Sequence, residues 1–253
     1  MILPINSYLR HPPVEISPNQ ILLFNAIRYS ADICEISFSR LLQTLSQLTE
    51  NNDIKNFDFP VAFLDIWSVI NNSVIFKKIL CREFKLTGNE KHFEEINKAV
   101  KLRDSNQHID ERLLDGFPGT DYPIYGSLSW IKYYNSYTNF IRTTLFSGSF
   151  TQKENINTTL SNKEDIEYDL IIQKIQFTGI IREGKKGNYS YREESILISK
   201  IITEMIWWIS ELDKNLEEMN KTATFTSSHR SDFFMQIKGR IIDQDELINY
   251  NHE

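Results

Sequence analysis

Cysteine is nearly absent: Cys34 and Cys81 are the only two in 253 residues, and both fall within apolar helical patterns. That excludes a disulfide-stapled scaffold and leaves reduced, buried thiols as the expectation. Glycine and proline are sparse, at 9 and 7, which excludes collagen-like and low-complexity chains. There is no basic excess either. Lys and Arg total 28 against 34 Asp and Glu, a net charge of −6, so nonspecific coating of nucleic acid is excluded while cutting of RNA at a small local site is not. No apolar run approaches a bilayer span; the longest candidate, residues 196–212, is broken by Ser199, Lys200, Thr203, Glu204 and Ser210. Residues 1–13 lack the apolar core of a signal peptide, and a cytoplasmic protein with no membrane partner is expected. No Gly-x-Ser-x-Gly, phosphate-binding glycine loop or dinucleotide fingerprint occurs. His11, His92, His229 and His252 are scattered, and no second His or Cys stands at ligand spacing from His108, so neither a metal nor a cofactor is expected.

What remains is ordinary globular chemistry, 41% hydrophobic, 12% aromatic and 25% charged, enough for one domain over residues 1–253. The strongest signal is a first helix over about 18–48. Phe24, Ile27, Ala31, Cys34, Phe38, Leu41, Leu45 and Leu48 recur by alternate steps of 3 and 4, behind Ser17 as cap and Pro18 in the first turn. A second helix is expected over about 60–83, with Phe63, Trp67, Ile70, Val74 and Cys81 inward. A third over about 90–115 starts on Phe93, Ile96 and Val100 and stops at Gly116–Phe117–Pro118–Gly119. Residues 125–134, 142–150 and 166–178 are rich in β-branched and aromatic types and read as strands of a β insertion spanning about 124–180, with a polar loop at 151–165. A last helix over about 193–220 carries Ile198, Ile201, Met205, Trp208, Leu212, Leu216 and Met219. The tail, 222–253, has no clear periodicity. The expected fold is mainly α: an antiparallel helical bundle with a small antiparallel β insertion between the third and last long helices.

One stretch breaks this pattern. Past Val100 the 3–4 spacing leads to Arg103 and Gln107, surrounded by Asp104, Ser105, Asn106, His108, Asp110, Glu111 and Arg112. A polar interruption of a core-facing stripe faces solvent, finds partners or lines a site. Apolar positions resume at Ile109, Leu113 and Leu114, rotated around the axis, which predicts a break near Asp104–Ser105.

Arg103-Asp104-Ser105-Asn106-Gln107-His108 fits the Arg-x4-His pattern of HEPN domains, with the polar residue after the arginine that the family prefers. Residues 107–112 and the stretch Ala62-Phe63-Leu64-Asp65-Ile66-Trp67 resemble bacterial proteins of that kind. The resemblance spans about residues 18–115. It implies an α-helical bundle, a homodimer in which two motifs meet, and a metal-independent endoribonuclease of toxin–antitoxin or phage-defence systems, with RNA as substrate and a cognate antitoxin as a further partner.

The residues suit that chemistry. An imidazole ordinarily exchanges its proton near neutral pH, so His108 is the side chain of this stretch suited to take the proton of the 2′-OH or give one to the leaving 5′ oxygen. Arg103 offers a planar fork to a phosphate that gains charge in the transition state. Asp104, four residues before His108, is placed to orient the imidazole on a continuous helix. Asn106 and Gln107 are candidates for substrate contact. Residues 103 and 108 lie about 140° apart on a straight helix, so they converge only through the arginine's reach, a helix break or a second subunit. Asp110, Glu111 and Arg112 read as a solvated face. A second basic segment, residues 182–192, places Arg182, Lys185, Lys186 and Arg192 with Tyr189 and Tyr191 in a glycine-hinged turn. It could grip a single-stranded backbone, with Lys185 and Lys186 as substrate contacts, or simply solubilise a turn. Trp207, beside the striped Trp208, suggests an interface face. The alternative to catalysis is a non-catalytic binding or regulatory module that holds a nucleotide or a partner protein.

Overall fold

The structure, a computed structural model, describes residues 1–12, 16–50, 58–115, 122–134, 136–148, 172–185 and 188–221, with Asp232, Met235 and Gln236. Two long helices come first, α1 (Pro18–Glu50) and α2 (Phe59–Glu83). A single 3-10 turn then leads into α3 (Glu94–Gln107) and α4 (Ile109–Asp115). Strands β1 (Ser127–Tyr134), β2 (Ser136–Phe146), β3 (Ile172–Lys185) and β4 (Asn188–Leu197) follow, and α5 (Ile198–Lys221) closes the described order.

The helices form where the apolar spacing requires. The α1 stripe is buried from Phe24 to Leu48 except for Phe38, which packs on it half-buried. Ser17 and Gln20 cap the helix reciprocally: the Ser17 N–H donates to Gln20 Oε1 at 3.2 Å and the Gln20 N–H donates to Ser17 Oγ at 3.4 Å. Between α1 and α2 the fully buried carboxylate of Asp65 accepts from Arg40 Nε at 2.9 and 3.0 Å, while the Arg40 head reaches solvent. α2 is also the one helix among the described residues long and apolar enough to cross a membrane, more so than residues 196–212; half of that window is packed inside the molecule.

The sheet corrects the expected fold class. All four strands run antiparallel in the order β2-β1-β3-β4, and Leu128, Trp130, Ile175, Phe177, Ile181 and Ile196 share one hydrophobic cluster with the helices. The architecture is mixed α/β, a helical layer against a sheet, and not a mainly helical bundle carrying a small insertion. The misreading has a local cause. β4 passes into α5 at Leu197–Ile198 with no glycine or proline, so its apolar residues run on into the helical stripe. Residues 193–197, expected as the first turn of the last helix, are therefore strand, and the turn around Gly184 closes a β3–β4 hairpin. β2 begins at Ser136, earlier than expected, and β3 reaches Lys185, later than expected. The polar loop 151–165, residues 166–171 of the third expected strand, Gly116–Gly119 and Lys186 lie outside the described residues.

α3 is seated by two carboxylates. Glu204 of α5 accepts the Glu95 and Ile96 N–H groups at 2.9 and 3.0 Å, capping a helix whose own N-cap, Phe93, has no capping side chain. In return the buried Glu95 accepts the Leu197 N–H at 2.7 Å where β4 becomes α5, and Lys98 Nζ donates to its other oxygen at 2.9 Å. Farther along, α3 crosses β3 at Gly179, where an added Cβ would lie 2.9 Å from the Leu102 side chain, and Ser105 Oγ donates to the Ile180 carbonyl. The tail returns to α1 at Asp232: Arg28, 6% exposed, donates to its carboxylate at 2.5 and 3.0 Å and the Tyr29 hydroxyl at 2.6 Å, which holds the Asp232 carboxyl at about 2.

Burial pushes the Glu204 carboxyl above its ordinary range; the nearby charges of Glu95 and Glu94 add to the push, and the two N–H groups oppose it. Because the folded state holds this proton more tightly than the unfolded chain, the contribution of Glu204 to stability is fullest at low pH and is lost as pH rises through the raised value. We expect Glu204→Ala, which strands two helix N–H groups, to cost about 1–2 kcal/mol in urea unfolding near neutral pH. Glu204→Gln should cost less and should remove the decline in stability that wild type shows as pH rises above the ordinary carboxylate range.

Candidate functional site at the α3–α4 break

The inward stripe of α3 runs through Ile96, Ala99, Leu102 and Ser105, one edge away from the Val100–Arg103–Gln107 line read from the sequence. Arg103 therefore flanks the core and does not interrupt it. The helix continues through Asp104 and Ser105 and breaks three residues later than expected, at His108, whose φ of −115° and ψ of 30° end α3 before α4 restarts at Ile109. The break places the imidazole at a helix C-terminus, half exposed at 53%.

Around it the contacts are short-range and polar. Glu111, one turn into α4, lies 3.4 Å from His108 Nδ1 and 3.8 Å from the Arg182 guanidinium of β3. Arg182 in turn lies over the Tyr189 ring of β4, 4.2 Å from its centroid. Arg103 is 18% exposed, meets the neighbouring Asp104 at 3.6 Å, and keeps its Nε buried with no hydrogen-bond partner. Among the described residues the ion pair of this largely buried arginine is with its exposed neighbour, and its positive charge stands at the end of α3.

The expected residues thus divide. His108 and Arg103 are both at the α3 terminus, but their contacts run to different carboxylates, Glu111 and Asp104. Gln107 is exposed. Asn106 is half-buried and lines a groove between α2 and the β1–β2 hairpin. Lys185 ends β3, paired in register with Asn188, and Lys186 lies outside the described residues. Arg192 is engaged by Glu183 at 2.7 Å and Glu194 at 2.9 Å, so the basic segment offers Arg182 more than Arg192. Trp207, 37% exposed, stacks on His92 with ring centroids 4.0 Å apart, so the aromatic pair is already engaged within the chain.

Two members of the cluster differ from the sequence expectation: Glu111, expected on a solvated face, contacts His108, and Arg182, expected in a basic turn that grips a backbone or solubilises the chain, lies on β3 beside Glu111. The usable signal for Glu111 was its place three residues after His108, one turn away once the helix restarts. Arg182 comes from a strand some seventy positions on (182 against 111), and only the fold brings it near. Among the described residues no group of three or more His, Cys, Asp or Glu side chains is placed to hold a metal ion. No protein-family model, curated protein or solved structure matches the chain.

Because both ion pairs at the break are at least partly exposed, His108→Ala should unfold within about 0.5 kcal/mol of wild type and Arg103→Ala within about 1 kcal/mol, read by chemical denaturation.

Proposed function

We propose that this protein is a metal-independent endoribonuclease whose reacting centre is the α3–α4 break. The observation that carries the reading is a half-exposed imidazole, His108, with Glu111 at its Nδ1 and Arg182 behind that carboxylate. An imidazole backed by a carboxylate on one nitrogen presents the other to a substrate proton. His108 takes the proton of a ribose 2′-OH, the 2′ oxygen attacks the adjacent phosphorus, and the P–O5′ bond breaks. The departing 5′ oxygen takes a proton from solvent water and the imidazolium returns its proton to solvent, leaving a 2′,3′-cyclic phosphate and a 5′-hydroxyl. Arg103, with its unpartnered Nε, and Arg182 supply fixed positive charge to the phosphoryl oxygens. Asp104 holds Arg103. Glu111 orients the imidazole, the role expected of Asp104 from the sequence.

This reading keeps the activity implied by the HEPN resemblance but draws the partners of His108 from α4 and the sheet. Because Glu111 and Arg182 come from the same chain, it does not need a second subunit to complete the site, although a homodimer and a cognate antitoxin remain compatible with it.

Purified protein incubated with end-labelled single-stranded RNA in EDTA is expected to cleave it. His108→Ala should lower the rate at least about 100-fold and Arg103→Ala by a similar factor. Glu111→Gln should lower it less. Equal cleavage by wild type and His108→Ala would overturn the proposal, and a ligand retained through purification without any cleavage would favour the binding module.

A further inference from the structure

Asn106, two residues before His108 in the motif stretch, lines an apolar recess. That groove, about 680 Å³, lies between the first half of α2 and the β1–β2 hairpin. Phe59, Phe63, Trp67, Tyr125 and Phe146 line it, with Leu64 at its edge 62% exposed, and no charged side chain is among its described lining. Its floor is rigid. Trp67 packs edge-on against Phe177 at 5.1 Å, and its indole N–H donates to the Tyr125 carbonyl at 3.3 Å. Gly126 beside it has a φ of +90°, and a Cβ there would strike the Phe177 ring at 2.5 Å.

We propose that this groove is the base-binding pocket of the same protein, taking one or two unpaired nucleobases of a single-stranded RNA between its aromatic faces, with the Asn106 carboxamide reading a base edge. The inference rests on the endoribonuclease reading for its choice of occupant, and three observations favour that occupant. The volume suits a ligand the size of one or two nucleotides. Aromatic side chains stack bases of any sequence, and a carboxamide presents both a donor and an acceptor to a base edge. The charges divide as a nucleotide's do: Arg103 and Arg182 are not among the lining residues of the groove, and among the described residues that line it none is charged. Asn106 precedes His108 by two residues, so one short piece of backbone carries both the base contact and the proton-transfer group.

The test measures binding separately from cleavage. Full-length protein is titrated with the four nucleoside 5′-monophosphates and with ribose 5-phosphate, following tryptophan fluorescence, with Trp67→Phe as the control that should lose most of the signal. Nucleotides should bind at least about tenfold tighter than ribose 5-phosphate, the gain expected from stacking one base. Asn106→Leu, checked for an unchanged thermal midpoint, should alter the order of preference among the four bases. Equal affinity for nucleotides and ribose 5-phosphate would overturn the pocket, as would an unchanged base order in Asn106→Leu. An environment-sensitive apolar dye that enters the groove and is not displaced by nucleotides would also overturn it, and would point to an apolar partner. The two proposals fail separately. Nucleotide binding without RNA cleavage in EDTA would sink the catalytic reading and keep the pocket, and cleavage by a protein indifferent to the base would do the reverse.

Discussion

The candidate site exists because α3 is held in one place, and α3 is held by an exchange of carboxylates. Glu204 on α5 supplies the cap that the start of α3 lacks, and Glu95 on α3 supplies an acceptor to the N–H at the β4–α5 junction. Each carboxylate is partly or fully buried, and each meets N–H groups that would otherwise be orphaned at an element boundary. The two elements so joined are distant in sequence but position everything that follows. With its first turn fixed, α3 packs on β3 through Leu102 at Gly179 and Ser105 at Ile180, and α4, which follows it, brings Glu111 to Arg182.

Function and stability are thereby separated along a single helix. The first turn of α3 is tied into buried hydrogen bonds, whereas at its end only Ser105 is buried and bonded to β3, and Asp104, Gln107 and His108 are exposed. An arginine with an unpartnered buried nitrogen, a half-exposed imidazole and a carboxylate between imidazole and a second arginine are not required by the core. The polar residues collect where the helix breaks. A break frees an imidazole from the helical spacing that would have set it about 140° from Arg103.

How much of this could be read in advance depended on the range of the interactions. The α1 stripe, its Ser17 cap and most of the inward face of α5 follow from local periodicity; the structure forms the cap and buries the stripe residues except Phe38 and Trp208, which are half-buried, and Met219, which is exposed. The fold class did not follow, because β4 enters α5 without a punctuating residue and its last two residues, Ile196 and Leu197, run into the helical pattern. The polar interruption of α3 was read on the wrong edge of the helix: Val100 is a flank, and the true stripe passes through Ala99 and Leu102 to Ser105. Asp65, Glu95 and Glu204 look in sequence like ordinary surface acids; only the packing shows that each is committed to a partner on another element. For the same reason His108, Arg103 and Arg182 can each be nominated from the chain, whereas the meeting of Arg182 with Glu111 cannot.

The central claim is that the imidazole at the α3–α4 break cuts RNA without a metal, and the chemistry of the ends decides it most directly. Mass spectrometry of the fragments released from a defined single-stranded RNA by wild-type protein in EDTA should find 2′,3′-cyclic phosphate on one side of the cut and 5′-hydroxyl on the other, and His108→Ala should release none. Fragments with 3′-hydroxyl and 5′-phosphate ends, or cleavage that EDTA abolishes, would contradict it.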